Sequence, residues 1–61
     1  MQKQRIMTRA EFDTIIHECH RRNLVVAEKQ ARYALSLWSY NRDDEARKQL
    51  AQARQELLKT P

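Results

Sequence analysis

Glycine is absent from the 61 residues of this chain, and its single proline is the terminal Pro61. Residues 1–60 therefore lack the two strongest helix breakers, and alanine, leucine, glutamate, glutamine, arginine and lysine dominate them. β-branched residues are sparse, and no stretch alternates between apolar and polar residues as a strand would. The composition predicts an all-α protein without a sheet.

Long apolar runs and paired cysteines are also missing. The longest apolar run, from Leu24 to Ala27, is far shorter than the roughly 20 residues that a membrane span needs. No apolar segment follows the basic N-terminal residues, as a secretory signal would require, and Cys19 has no second cysteine for an internal disulfide. We therefore expect a cytoplasmic protein that does not bind a membrane.

The small size and thin apolar content argue against catalysis. Hydrophobic residues make up 41% of the chain, and seven of them are alanines. A chain of this length buries only about 60% of the surface that it exposes when unfolded, which is too little to enclose an ordinary active-site pocket. We expect no enzymatic activity and no cofactor.

The only cluster of potential metal ligands is His17, Glu18, Cys19 and His20. A closed structural zinc site needs four ligands, so two histidines on one helical face are a weak signal. Cys19 lies on an apolar stripe, and the chain has no glycine-lined loop to stabilise an oxyanion. The sequence predicts neither a metal site nor a catalytic residue here.

The first helix start signal is the segment from Thr8 to Glu11, which fits a capping box, so we expect a helix to begin near Arg9. Met7 is placed to pack on Phe12 as a hydrophobic staple. From there a stripe of apolar residues follows helical steps of three and four. Its members are Phe12, Ile16, Cys19, Val26, Tyr33, Leu37 and Tyr40.

A second row widens this stripe and offers small residues where another helix can approach closely; it consists of Leu24, Ala27, Ala31, Ala34, Leu35 and Trp38. The chain then reverses at residues 40–45, where Asn41 or Asp43 can cap a new helix. The apolar repeat of that helix is Ala46, Leu50, Ala53 and Leu57. We expect it to span about residues 44–59.

The predicted fold is a helical hairpin in residues 8–61, preceded by a basic flexible arm in residues 1–7. A first helix over residues 9–40 would be about 48 Å long and the second only about 24 Å, which leaves half of the first uncovered. Either the first helix breaks at Arg22 and Asn23 into a three-helix bundle, or it stays long or kinked and pairs with a second chain. We favour the second solution, because one or two residues are short for a helix connection.

A core this small also favours a homodimer, in which two chains form one helical bundle. The predicted core and dimer-interface residues are Phe12, Ile15, Ile16, Cys19, Val26, Tyr33, Leu37, Leu50 and Leu57. The candidate contacts with another protein are Trp38, Tyr40, Arg47 and Arg54, of which the two aromatics precede the turn. Asp44 is expected to pair with Lys48, four residues later.

The net charge of +4 is concentrated at the N-terminus. Residues 1–9 contribute +3, residues 10–40 contribute zero because they hold four charges of each sign, and residues 41–61 contribute +1. A basic arm of this kind can follow phosphates. The candidate nucleic-acid contacts are Lys3, Arg5 and Arg9, and we regard this interaction as the alternative to protein binding.

The stretch from Met7 to Tyr40, MTRAEFDTIIHECHRRNLVVAEKQARYALSLWSY, resembles the very short early proteins encoded between the exonuclease and excisionase genes of lambdoid phages. The resemblance brings no catalytic motif. It implies a non-enzymatic accessory protein that binds a bacterial host protein and alters host physiology or the balance between lysis and lysogeny. Met7 would serve as an internal start in that case, with residues 1–6 as an extension.

Overall fold

The computed structural model describes residues 7–59 and contains three α-helices within them. Helix α1 spans Arg9–Arg21, α2 spans Val25–Ser39 and α3 spans Asp43–Lys59. The prediction of an all-helical chain is confirmed for this part of the sequence. The start of α1 at Arg9 also agrees with the sequence, whereas the path between α1 and α2 does not.

Helix α1 ends because Asn23 adopts the left-handed backbone conformation, with φ at 59°. The N–H of Asn23 donates to the carbonyl of His20 at 3.1 Å, and the N–H of Leu24 donates to the carbonyl of Cys19 at 2.9 Å. These two bonds form a Schellman motif, which satisfies the last carbonyls of a helix. The continuous helix over residues 9–40 was therefore the wrong choice, and the break at Asn23 is correct.

The turn between α2 and α3 repeats this arrangement. Asn41 has φ at 63°, and its N–H donates to the carbonyl of Trp38 at 3.0 Å. The N–H of Arg42 donates to the carbonyl of Leu37 at 2.9 Å. Asn41 thus ends α2, in contrast to its predicted role as a cap of the next helix, because asparagine is one of the few residues that tolerate this conformation.

The start of α1 lacks the predicted capping box. Thr8 is the N-cap residue, with extended φ and ψ of −114° and 159°, but its side chain makes no capping hydrogen bond. The N–H of Glu11 instead donates to the backbone carbonyl of Thr8 at 3.1 Å. The Glu11 carboxylate faces Arg54 of α3 at 3.7 Å, so its charge links two helices.

The three helices form an up-down-up bundle. The ring centroids of Phe12 in α1 and Trp38 in α2 are 5.4 Å apart, so the beginning of α1 lies beside the end of α2. At the other end of the bundle, Arg22 Nη1 donates to the carbonyl of Leu57 at 3.2 Å. Helix α1 is therefore antiparallel to α2 and parallel to α3, and it covers the hairpin that α2 and α3 form.

The core is built from alanines on α2 and α3 and from larger side chains on α1. Ala31, Ala34, Ala46 and Ala53 are completely buried, which lets the helix axes approach closely. Met7 is 5% exposed, so the core begins inside the predicted arm of residues 1–7. Residues 1–6 lie outside the described residues. The buried residues are Met7, Phe12, Ile15, Cys19, Ala27, Ala31, Ala34, Leu37, Ala46, Leu50 and Ala53.

Two of the predicted core and dimer-interface residues lie outside the core of the chain. Val26 and Tyr33 are exposed, because the three residues between α1 and α2 change the rotational phase of the second helix. The second row of small residues faces inward instead, with Ala27, Ala31 and Ala34. Ile16 and Leu57 are half-buried against the core, and the other predicted positions, Phe12, Ile15, Cys19, Leu37 and Leu50, are buried.

Substitution of Asn23 tests the break directly. A left-handed residue with a Cβ costs about 1–2 kcal/mol, so Asn23→Ala should destabilise the protein by about 1 kcal/mol, while Asn23→Gly should be nearly neutral. A continuous helix predicts the reverse order, because alanine favours a helix and glycine disfavours it. Urea unfolding measures the free energy of unfolding of both variants. The control is Gln55→Ala, a substitution at an exposed position within α3. A chain stabilised by alanine and destabilised by glycine would contradict the break.

Candidate interaction surface

Three large side chains, two on α2 and one on the C-cap residue that follows it, point into solvent at heptad spacing. Val26 is 69% exposed, Tyr33 is 54% exposed and Tyr40, at the end of the helix, is 75% exposed. Residues seven apart lie on one side of a helix, about 10.5 Å from each other along its axis. We call Val26, Tyr33 and Tyr40 the tyrosine stripe. Apolar side chains left exposed in a row, in a chain with so few of them, mark a candidate contact surface.

A shallow groove between α2 and α3 borders the tyrosine stripe and has a volume of about 480 Å³. Across the groove, Gln30 Nε2 donates to Gln52 Oε1 at 3.2 Å. The Gln30 Oε1 atom is buried and has no hydrogen-bond partner among residues 7–59. The groove is lined by Val26, Gln30, Gln52, Gln55, Glu56 and Lys59.

Nearly every cation among residues 7–59 has an acidic partner on the same or a neighbouring helix. Most of these pairs are three or four residues apart on one helix and exposed, so each contributes little to stability. The pairs are Arg9–Asp13, Arg21–Glu18, Arg22–Glu18, Arg32–Glu28, Arg42–Glu45, Arg47–Asp44, Arg54–Glu11 and Lys59–Glu56.

Lys29 and Lys48 have no acidic partner among the described residues. Lys29 has no acidic residue three or four positions away on either side, a signal that was present in the sequence. Lys48 was predicted to pair with Asp44, but the Asp44 carboxylate pairs with Arg47 at 3.7 Å. Both lysines are exposed.

Lys29 and Lys48 lie on the side of the bundle that carries the tyrosine stripe. Lys29 is three residues after Val26 and four before Tyr33, so it is adjacent to both on α2. Lys48 is one turn before Gln52, which lines the groove from α3. The surface therefore combines exposed apolar side chains with uncompensated positive charge.

A second groove, between α1 and α3, has a volume of about 430 Å³. Ile15 and Leu57 contribute its apolar lining, and the Glu11–Arg54 pair at 3.7 Å spans it. Leu58, 77% exposed, follows Leu57 on α3.

The four predicted protein contacts are distributed over the molecule. Tyr40 belongs to the tyrosine stripe, whereas Trp38 is half-buried and packs on the Phe12 ring. Arg47 and Arg54 are exposed on the α1 side of α3, and each pairs with a carboxylate at 3.7 Å. The structure does not bring these two arginines together with Tyr40 on one surface.

Of the three predicted nucleic-acid contacts, the described residues include only Arg9. Its side chain is 72% exposed and pairs with Asp13 at 3.8 Å. Lys3 and Arg5 lie outside the described residues. The charge available to phosphate on this part of the molecule is therefore partly neutralised.

Within residues 7–59, no group of three or more metal-ligating side chains is assembled. Cys19 is buried, and burial raises the pKa of its thiol, which disfavours the nucleophilic thiolate. His20 Nδ1 lies 3.3 Å from Glu28 Oε1, so this imidazole contacts α2 rather than His17. The geometry offers neither an assembled metal site nor an activated nucleophile in this region.

Glu28 links α1 to α2. Arg32 Nη2 and Nε donate to its Oε2 at 2.7 and 3.0 Å, while His20 contacts Oε1. The hydrogen bond from Arg32, followed by that from His20, holds the pKa of Glu28 below its usual value of 4.5. The side chain of Glu28 is only 18% exposed, less than any other carboxylate in the ion pairs of residues 7–59 named above.

Comparisons with protein-family models, curated proteins and solved structures found no match to this chain. No helix within residues 7–59 is long and apolar enough to cross a membrane.

The Glu28 contacts predict a pH-dependent contribution to folding. Because the folded-state pKa is lowered, the contribution is present above pH 4.5 and is lost as the pH falls through the folded-state pKa. Arg32→Gln should raise the pKa of Glu28 more than His20→Gln does, since the arginine bond is the larger cause. An NMR titration of the Glu28 side chain in both variants measures this, and an unchanged pKa in both would contradict the proposed contacts.

Proposed function

We propose that this protein is a small non-enzymatic interaction protein that binds a protein of a bacterial host through the tyrosine stripe and thereby modulates host physiology. The observation that carries the proposal is the exposure of Val26, Tyr33 and Tyr40 at heptad spacing along α2 and its C-cap residue. Tyrosine is enriched at the centres of protein interfaces, because it buries a large area at a low cost in side-chain entropy.

The role in the host rests on the resemblance to early phage proteins, which includes all of α1 and α2. A regulatory effect on the balance between lysis and lysogeny, exerted in the bacterial cytoplasm, is part of the same proposal. The single thiol of the chain, Cys19, is buried and lines neither groove, and burial raises its pKa.

The homodimer also belongs to the proposal, but it would use a different surface from the one that the sequence predicts. Phe12, Ile15 and Cys19 are covered within one chain and do not need a second copy. The groove between α1 and α3, with exposed Leu58 beside it, is the apolar surface that a second copy would use.

Nucleic-acid binding through the basic arm is the alternative. It predicts retention on DNA or RNA that falls steeply as salt increases, and loss of binding when residues 1–6 are removed. Arg9 gives it little support, because that side chain pairs with Asp13.

Affinity capture from bacterial lysate tests the proposal, at moderate salt and after nuclease treatment. The wild-type protein should retain a specific host protein that the triple variant Val26→Ser, Tyr33→Ser, Tyr40→Ser does not retain. Because the three side chains are exposed, the free energy of unfolding of the triple variant should lie within about 1 kcal/mol of the wild-type value.

The matched control is Leu58→Ser, which removes an exposed apolar side chain from α3, outside the tyrosine stripe. It should retain the same host protein as the wild type. Equal retention by the triple variant, or no specific protein retained by the wild type, would contradict the proposal.

A further inference from the structure

The tyrosine stripe lies beside the two lysines whose charge is not neutralised within the described chain. The other lysine and arginine side chains of residues 7–59 have a carboxylate within 4 Å, while Lys29 and Lys48 do not. Lys29 lies between Val26 and Tyr33 on α2, and Lys48 lies on α3, one turn before Gln52, which lines the groove between α2 and α3. This surface therefore has two cations to offer a partner.

The charge pattern disfavours a second copy as the occupant. A twofold contact places the same surface of both chains in one interface. The Lys29 and Lys48 ammonium groups of both copies would then be buried together, and like charges brought together at an interface are unfavourable. The occupant that complements this surface carries negative charge.

The spacing of the stripe specifies the shape of the occupant. Side chains seven residues apart repeat along one face of a helix, which matches the length and direction of a second helix laid beside it, and charges that flank the apolar contacts of paired helices set the choice of partner. An exposed α2 without a neighbour on its outer side offers such a seam to an amphipathic helix. The valine at one end provides apolar contact but no stacking surface, which favours a helix over nucleic acid.

We infer that the tyrosine stripe binds an acidic amphipathic helix of the partner protein, with Lys29 and Lys48 pairing with carboxylates on both flanks of the apolar seam. The inference rests on the proposed function and adds the chemical class of the partner. It assigns a role to both lysines and leaves the groove between α1 and α3 free.

Two synthetic amphipathic peptides of about three heptads test it, with leucine at the a and d positions and either glutamate or lysine at e and g. Each is titrated into the full-length ¹⁵N-labelled protein and followed by NMR. The glutamate peptide should shift the amides of residues 25–40 and bind about tenfold more tightly than the lysine peptide, because it gains two exposed ion pairs where the lysine peptide brings like charges together. A tenfold difference corresponds to about 1.4 kcal/mol. High salt should reduce that difference.

The double variant Lys29→Glu, Lys48→Glu should reverse the preference between the two peptides. Its control, Arg9→Glu with Arg47→Glu, changes the net charge equally, near the first turns of α1 and α3, and should keep the preference for the glutamate peptide. A preference that does not respond to the lysine variant, or shifts that map to the groove between α1 and α3, overturns the inference.

Two further outcomes would also overturn it. One is a single-stranded oligonucleotide that shifts residues 25–40 at lower concentration than the glutamate peptide, and the other is self-association through the stripe. The proposed function fails separately. If lysate capture depends on the tyrosine stripe but the lysine variant does not change the peptide preference, the acidic-helix inference is wrong and the proposed function stands.

Discussion

The packing of α1 against the other two helices depends on one residue between α1 and α2 that adopts the left-handed backbone conformation. Asn23 turns the chain with φ at 59°, and two backbone hydrogen bonds around it satisfy the end of α1. Because α1 folds back onto α2, Phe12 and Cys19 become fully buried within one chain. The main reason for predicting a homodimer was the need to bury these α1 side chains, and the folded-back chain buries them without a second copy.

The same break decides which residues are available for binding. Cys19 and Val26 are seven residues apart, so the apolar pattern continues in phase across a segment where the helix does not. The sequence pattern alone cannot distinguish a helix that continues from one that stops and restarts. The actual phase of α2 buries Ala31 and exposes Tyr33, and a residue that periodicity assigns to the core becomes a surface residue.

Helix content, the start at Arg9 and the reversal near Asn41 could be predicted, because they follow from composition and from residues with strong local preferences. The path at Asn23 could be named only as one of two solutions, since its cost is local and its benefit lies in contacts with α3. The absence of acidic partners for Lys29 and Lys48 within residues 7–59 was harder to predict from the sequence. Asp44 has both Arg47 and Lys48 within reach, and only the structure shows that it pairs with Arg47.

An intramolecular distance between α1 and α2 tests the bundle most directly. Spin labels are attached at Asp13→Cys and Ser39→Cys in a Cys19→Ala background. The labelled protein is diluted with unlabelled protein, so that pulsed electron paramagnetic resonance reports the distance between the two labels within one chain. The Phe12 and Trp38 rings, one residue before each label, are 5.4 Å apart, so the folded-back chain predicts a separation of about 20 Å or less between labels on packed helices. A separation of about 39 Å, the rise of a straight helix over that stretch, would contradict it.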